Sequence, residues 1–304
     1  MIQYEEHSTT PLFSIVISVY NDWISLDQCL QSLARQSNSP SFEVIVVDDG
    51  SAEAAPEFIR DAGYSYPLQL IEQAHAGIPV ARNRGVENSR GAVLLFVDAD
   101  CRLRDNCLSA LSAAIARSPQ HDCFQLRLVG DCSNLVGRAE ELRLIALQNH
   151  MLQPDGRIRY LNTAGFALRR TRADVKAGIF DPLALRAEDT LLLANLMQAG
   201  DLPLFVPEAV VEHVILLSLP ACLRKDIQSV YLERRTNHII AARRMKIRMT
   251  HRERLQLISS MWKTAGQPSI GRSAWFVVVL RQALQRTISL TCQYLGSESA
   301  TPAN

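Results

Sequence analysis

Two pairs of carboxylates stand at the ends of apolar runs: Asp48 and Asp49 close Val44-Ile45-Val46-Val47, and Asp98 and Asp100 close Val93-Leu94-Leu95-Phe96-Val97. Runs of this kind read as strands buried on both faces of a parallel sheet, and such sheets bind ligands beyond the strands' carboxyl ends. Carboxylates gathered in one crevice repel each other unless a cation intervenes, and a hard divalent ion carrying phosphates is the common solution. The chemistry indicated is that of a metal-bound nucleotide. One Asp-Asp-Gly-Ser segment alone would read as a turn and N-cap, since all three residue types favour such positions for local reasons. Two acidic clusters at matching strand ends point to a site.

The elements that must position these residues alternate. Strands are expected at 13–19, 42–47, 68–72 and 93–97, with helices at 24–36, 53–62 and 77–89 between them. This is repeated β-α-β, which predicts a doubly wound, Rossmann-like, mainly parallel sheet. No Gly-x-Gly-x-x-Gly follows the first strand, and no Walker phosphate loop occurs anywhere. The phosphates are therefore assigned to the metal. Further on, the pattern predicts helices at 108–116, 140–150 and 188–199. It predicts extended segments at 122–129, 204–206 and 209–211, and Gly165 lies in a small-residue stretch suited to close approach of a ligand.

Composition is that of an ordinary globular chain, 47% hydrophobic and 21% charged over 304 residues, but its charge is divided. Residues 214–296 hold fourteen Lys/Arg against three Asp/Glu, a net +11, while residues 1–213 carry a net −9. Seven scattered cysteines without a Cys-x-x-Cys pair indicate reduced thiols and a cytoplasmic location. The polar first eleven residues do not read as a signal peptide, and no apolar run reaches the roughly 18 residues of a spanning helix.

Taken in order, several segments resemble glycosyltransferase family 2, the inverting enzymes of GT-A fold. They are Ile17-Ser18-Val19-Tyr20-Asn21, Val47-Asp48-Asp49-Gly50-Ser51, Gly77-Ile78-Pro79-Val80-Ala81-Arg82-Asn83-Arg84-Gly85, Asp98-Ala99-Asp100 and Ala187-Glu188-Asp189. The resemblance covers residues 13–213. It implies that Tyr20 with Asp48 and Asp49 holds the base and ribose of a nucleotide diphosphate sugar, with UDP the expected nucleotide. Ser18, Asn21, Gly77, Arg82, Asn83 and Ala99 are implied as further donor-site residues. Asp98 and Asp100 would hold Mn²⁺ or Mg²⁺, with His213 as a third ligand. Asp189 would be the base that deprotonates the acceptor, and Glu188 its partner. Ser18 replaces the usual proline of the opening motif, and His75 stands where relatives commonly have Asn; neither removes a charge the chemistry needs. The Gln-x-x-Arg-Trp motif of processive relatives is absent, which favours single addition over polymer synthesis.

On this reading the chain divides into a tail at 1–12, a catalytic domain at 13–213, a basic helical extension at 214–296 and a disordered tail at 297–304. The extension, with Trp262, Trp275 and the segment from Phe276 to Leu280, is expected either to meet an anionic membrane at the inner face of the cell membrane or to pack on the catalytic domain or a homodimer partner. Arg234 or Arg235 could also reach the donor pyrophosphate. The expected acceptor is a glycan, a lipid-linked sugar or a secondary metabolite, and cell-envelope polysaccharide synthesis is the expected setting. No nucleic-acid recognition motif is present. Two alternatives remain at this point: a nucleotidyltransferase of the same fold, and a nucleotide-sugar-binding module without turnover.

Overall fold

The computed structural model describes residues 10–60, 63–173, 178–215, 218–245 and 249–298. Most of the expected N-terminal tail and of the expected C-terminal tail lies outside these residues. Eight strands form one mixed sheet: β1 (Phe13–Val19), β2 (Phe42–Asp48), β3 (Leu68–Glu72), β4 (Val93–Asp98), β5 (Cys101–Leu103), β6 (Cys123–Gly130), β7 (Phe166–Arg169) and β8 (Leu204–His213). Their order is β3-β2-β1-β4-β7-β6-β8-β5.

The first half is the parallel sheet that the alternating pattern predicts, β3-β2-β1-β4. Beyond β4 the sheet becomes mixed: β7 runs antiparallel to both β4 and β6, while β6 and β8 are parallel. The two extended segments expected around residue 207 are a single strand, interrupted by a register shift opposite Leu126 and Arg127.

Alternation along β1 distributes the core. Phe13, Ile15 and Ile17 face α1 (Trp23–Ala34) and α4 (Cys107–Arg117), where they meet Leu26, Leu30, Leu33, Leu108 and Leu111. Val16 points to the other face, with Val86 of α3 (Ile78–Glu87), Phe96, Phe166, Phe180 and Leu192 of α6 (Glu188–Ala199). The helix expected at 53–62 is reduced to α2 (Glu57–Arg60), with positions 61 and 62 outside the described residues. The helix expected from residue 140 begins earlier, as α5 (Leu135–Met151), because Asn134 caps it by accepting the Gly137 N–H at 2.8 Å.

Past His213 come α7 (Leu219–Ala242), α8 (His251–Thr264) and α9 (Arg272–Glu298). Leu257, Met261, Ala265, Ala274, Val277 and Val278 close a core against Ala139, Leu142 and Ala146 of α5. The basic helices are thus packed onto the sheet unit through α5. Val277 and Val278, grouped by sequence with the membrane-facing residues, lie inside that core.

Turn chemistry brings the first acidic pair into place. Gly50 follows Asp49 with φ +79°, and a Cβ built there would lie 2.6 Å from the backbone nitrogen of His75. Gly50→Ala is expected to cost at least about 1–2 kcal/mol from the left-handed backbone alone, with further loss from displacing the 73–77 loop. Thermal denaturation measures it; an unchanged midpoint would mean the loop yields freely.

Candidate active site

The carboxyl ends of β1, β2 and β4 meet in one crevice. Register places Ser18 beside Asp98 on one side and Val47 on the other, and Val19 beside Asp48. Asp48 accepts the Ser51 N–H at 2.9 Å and the Ser51 hydroxyl at 2.6 Å on the same oxygen, Oδ1. Asn21, at φ +54°, ties the opening loop to this turn: its N–H donates to Ser51 Oγ and its Oδ1 accepts the Ala52 N–H. Tyr20 is half exposed and stacks on His75 with ring centroids 4.4 Å apart, so an aromatic face borders the mouth of the crevice.

Asp49 has a different task from the ligand contact expected of it. Its Oδ1 accepts from the Gln73 side-chain amide at 2.8 Å and the Ala76 N–H at 2.9 Å; its Oδ2 accepts from the Gly77 N–H and lies 2.9 Å from His75 Nδ1. Four partners occupy the roughly four lone-pair positions of a carboxylate. Asp49 holds the loop that starts α3. Asn83 likewise is taken by backbone, donating to the Phe180 carbonyl and accepting the Ile179 and Phe180 N–H groups. Both residues shape the walls of the crevice.

Arg82 is the hinge of the arrangement. It is 2% exposed, donates to Asp98 Oδ1 at 2.6 Å and to Glu188 Oε1 at 2.5 Å, and lies 5.4 Å over the Phe180 ring. Its Nε is buried with no acceptor among the described residues. Desolvation opposes the charge of Arg82, yet the two carboxylates outweigh it and hold its pKa above the ordinary value. One guanidinium thus joins the metal-motif strand to the start of α6, with Arg82 and Glu188 themselves 106 residues apart in the sequence.

Asp189, next to Glu188, is only partly open to solvent. The Thr190 N–H donates to its Oδ1 at 2.6 Å, with the Thr190 hydroxyl at 3.3 Å. Oδ2 makes no hydrogen bond among the described residues. Burial and then the Glu188 charge push the Asp189 carboxyl up to about 7, a value suited to a general base near neutrality. Ala187, immediately before the pair, has left-handed backbone at φ +59°. The loop ahead of it is pinned by α7 and its cap: Thr236 donates to the Arg186 carbonyl, and Arg243, which caps the helix, pairs with Asp181. Arg234 and Arg235 lie on the same helix, both exposed.

Asp98 and Asp100 do not lie on one extended strand. The chain turns at Ala99 and Asp100 and enters β5, three residues too short to announce themselves. Ala99, implied by the resemblance as a donor-site residue, faces the core. β5 pairs antiparallel with β8, setting Cys101 opposite His213 and so Asp100 beside the imidazole. His213 Nε2 lies 3.3 Å from Asp100 Oδ2, and its Nδ1 lies 3.8 Å from Glu140 on α5. Desolvation would lower the pKa of His213, but these two carboxylates outweigh it and push it up to about 10. A ligating imidazole must be neutral, so His213 would have to release its proton to take up an ion as the third ligand expected of it.

Among the described residues no three His, Cys, Asp or Glu side chains are placed to hold an ion together. Asp98 and Asp100 nevertheless suit a hard divalent ion. Each has one oxygen engaged, by Arg82 or His213; the other oxygen of Asp98 has no hydrogen-bond partner among the described residues, that of Asp100 is approached by the Cys101 thiol at 3.9 Å, and their side chains are 35% and 30% exposed. Two carboxylates that leave positions for substrate phosphates match the coordination habit of Mg²⁺ and similar ions. Glu140 and Arg143 were not visible as site residues from sequence, although Glu140 sits on the apolar stripe of α5, four residues from both Val136 and Leu144. It is 3% exposed and pairs with Arg143 at 2.5 Å.

Residues 14–176, more than half of the chain, match the Glycosyl transferase family 2 profile. The chain belongs to that family. Among curated relatives, Glycosyltransferase AglE of Haloferax volcanii is 41% identical over 97 residues, 31% of this chain and 32% of that protein. Putative glycosyltransferase EpsH of Bacillus subtilis is 36% identical over 92 residues, 30% and 26% of the two chains. The matched stretches span about a third or less of these curated relatives. Among solved structures, S. aureus TarS 1-349 in complex with UDP has a TM-score of 0.55 at 18% identity, over 92% of this chain and 88% of that one. Mannosyltransferase PcManGT from Pyrobaculum calidifontis, in complex with GDP-Man and Mn²⁺, has a TM-score of 0.57 at 16% identity, over 95% and 81%. At such identities the likeness is one of fold, the GT-A arrangement.

Proposed function

We propose that this family 2 protein is a metal-dependent inverting glycosyltransferase that moves a single sugar from a nucleotide-diphosphate sugar, with UDP favoured, to a hydroxyl of a glycan, lipid-linked or secondary-metabolite acceptor. The observation that carries the reading is the Asp98–Arg82–Glu188 bridge, which fixes the metal-motif strand and the Glu188-Asp189 pair in one crevice. Donor and acceptor chemistry need such a fixed relation, because in-line displacement tolerates little misplacement.

The residues divide the work. Tyr20 offers a stacking face and Asp48 an oxygen for the nucleoside, at the rim nearest His75. Asp98 and Asp100 would hold the Mn²⁺ or Mg²⁺. When bound, that ion supplies Lewis-acid stabilisation of the negative charge gathering on the departing nucleoside diphosphate. Arg82 neutralises Glu188, leaving Asp189 as the carboxylate able to take a proton. Thr190 holds Asp189 Oδ1, so that Oδ2 faces the acceptor hydroxyl. One base suffices for inversion, since the acceptor attacks opposite the leaving group.

Asp98→Asn and Asp100→Asn should each abolish the Mn²⁺-dependent stabilisation given by a UDP-sugar. In the wild type a donor at about a hundred times its Kd raises stability by about 2.7 kcal/mol, readable as a shift in melting temperature. Unchanged Mn²⁺-dependent donor affinity in both variants would remove the metal assignment. The same titration with free nucleotides separates the two alternative readings: a nucleotidyltransferase would respond to nucleoside triphosphates, and a binding module would bind the sugar nucleotide without ever consuming it. The cysteines support a reducing, cytoplasmic setting for this activity. Five of the described ones are buried, and burial pushes the Cys107 and Cys123 thiols up to about 12.

A further inference from the structure

Helices α8 and α9 bury one stripe against α5 and expose another. The outer stripe runs Leu255, Ser259, Trp262 on α8 and Arg272, Phe276, Leu280 on α9, about one turn apart along each helix. Its large side chains are open: Leu255 is 69% exposed, Phe276 60%, Leu280 50% and Trp262 40%. The rings form one cluster. Trp262 meets Trp275 edge-on at 5.0 Å and Phe276 at 6.4 Å, and the Arg272 guanidinium lies 5.0 Å over the Trp262 ring.

The charge around this cluster is of one sign. Arg252, Arg254, Lys263 and Arg272 are exposed and make no ion pair among the described residues. Glu253 is the one carboxylate between positions 249 and 291, and it is taken by Arg159 and by the cap of α8. A second copy docked about a two-fold axis would set this cationic rim against itself. Anionic headgroups supply the opposite charge, and exposed aromatic rings beside Lys and Arg suit the boundary between headgroups and acyl chains.

We propose that the α8–α9 face docks the protein on an anionic lipid bilayer, with Trp262, Phe276, Leu255 and Leu280 in the interfacial layer and Arg252, Lys263 and Arg272 against headgroups. This face backs onto the candidate site. Arg281, next to Leu280, turns inward to Asp226 at 2.7 Å and approaches Glu140 at 3.9 Å, and Glu140 is the neighbour of His213. Docking would therefore hold the crevice close to a membrane, where a lipid-linked acceptor would be presented. That consequence rests on the transfer reaction proposed above; the docking itself does not.

Flotation of the full chain with phosphatidylcholine vesicles, with and without phosphatidylglycerol, tests the proposal. The expected result is flotation with anionic vesicles alone, lost at high salt, with a blue shift of tryptophan emission and quenching by brominated lipid. Of the chain's three tryptophans, Trp23 is buried in the sheet core and would not respond. Lys263→Glu with Arg272→Glu touches no core contact and should weaken partitioning at least about tenfold. Trp262→Ser with Phe276→Ser should remove quenching while leaving the thermal midpoint near wild type. Absence of flotation on anionic vesicles would overturn the proposal, as would flotation that neither salt nor the charge reversal reduces. Sedimentation showing a dimer that Phe276→Ser breaks, without lipid binding, would assign the face to a second copy instead. None of these readouts needs a sugar donor, so a failed transfer assay leaves the test intact.

Discussion

Asp189→Asn should reduce sugar transfer by at least about a hundredfold, the usual scale of general-base catalysis, while donor binding stays near wild type. The substitution preserves size and the Thr190 contacts but removes the only group proposed to accept the acceptor proton. A pH profile sharpens the test. Burial and the Glu188 charge hold the Asp189 carboxyl at about 7, so wild-type turnover should rise through that pH and level off above it. The residual activity of the Asn variant should lack the step. Stability moves in the opposite sense. A carboxyl that titrates higher in the folded chain than in the unfolded one keeps a proton the unfolded chain has already lost. Its penalty is therefore absent at strongly acid pH, grows above the ordinary carboxylate range and is complete above about 7. Asp189→Asn should accordingly melt higher than wild type at pH 8.5, with the gap shrinking toward pH 4. Normal transfer by this variant would eliminate Asp189 as the base; a missing stability gain would mean that the buried charge is better compensated than its partners indicate.

What was legible in the sequence follows from the range of the interactions involved. β1, β2 and β4 were readable because continuous apolar runs mark strands buried on both faces, and their ends located Asp48 and Asp98. The four partners of Asp49 were not, since all of them come from a loop more than twenty residues away that no local pattern ties to it. β5 escaped notice because three residues carry no period, so no local pattern brought Asp100 to His213; only the family resemblance grouped the two. The break between α7 and α8 was readable in principle: Thr250-His251-Arg252-Glu253 has the capping-box spacing, and both reciprocal bonds form. Charge asymmetry set the C-terminal helices apart in the sequence. It could not show that their apolar stripe closes on α5, because that depends on which face of α5 the sheet leaves uncovered.

Arg82→Met should destabilise the fold by about 3–5 kcal/mol, the usual consequence of leaving one side of a buried ion pair uncompensated. The argument turns on asymmetry of exposure. The Asp98 side chain is 35% exposed and can recover water, whereas the Glu188 side chain is 8% exposed and cannot. Most of the loss should therefore arise at Glu188. A second substitution, Glu188→Gln, should return a large part of it when made on Arg82→Met, though alone it weakens the Arg82 contact. Thermal or urea denaturation of the four members of this cycle gives the coupling directly. An additive cycle would mean that Arg82 and Glu188 do not act as a unit, and the bridge between the two halves of the crevice would fail as an organising element. Strong coupling, with the double variant folded yet inactive, would show that this contact does more than stabilise. It would make Arg82 the residue that sets the distance between the ion-binding strand and the base, which explains why a fully buried guanidinium, with one nitrogen left without an acceptor among the described residues, is maintained beneath the crevice.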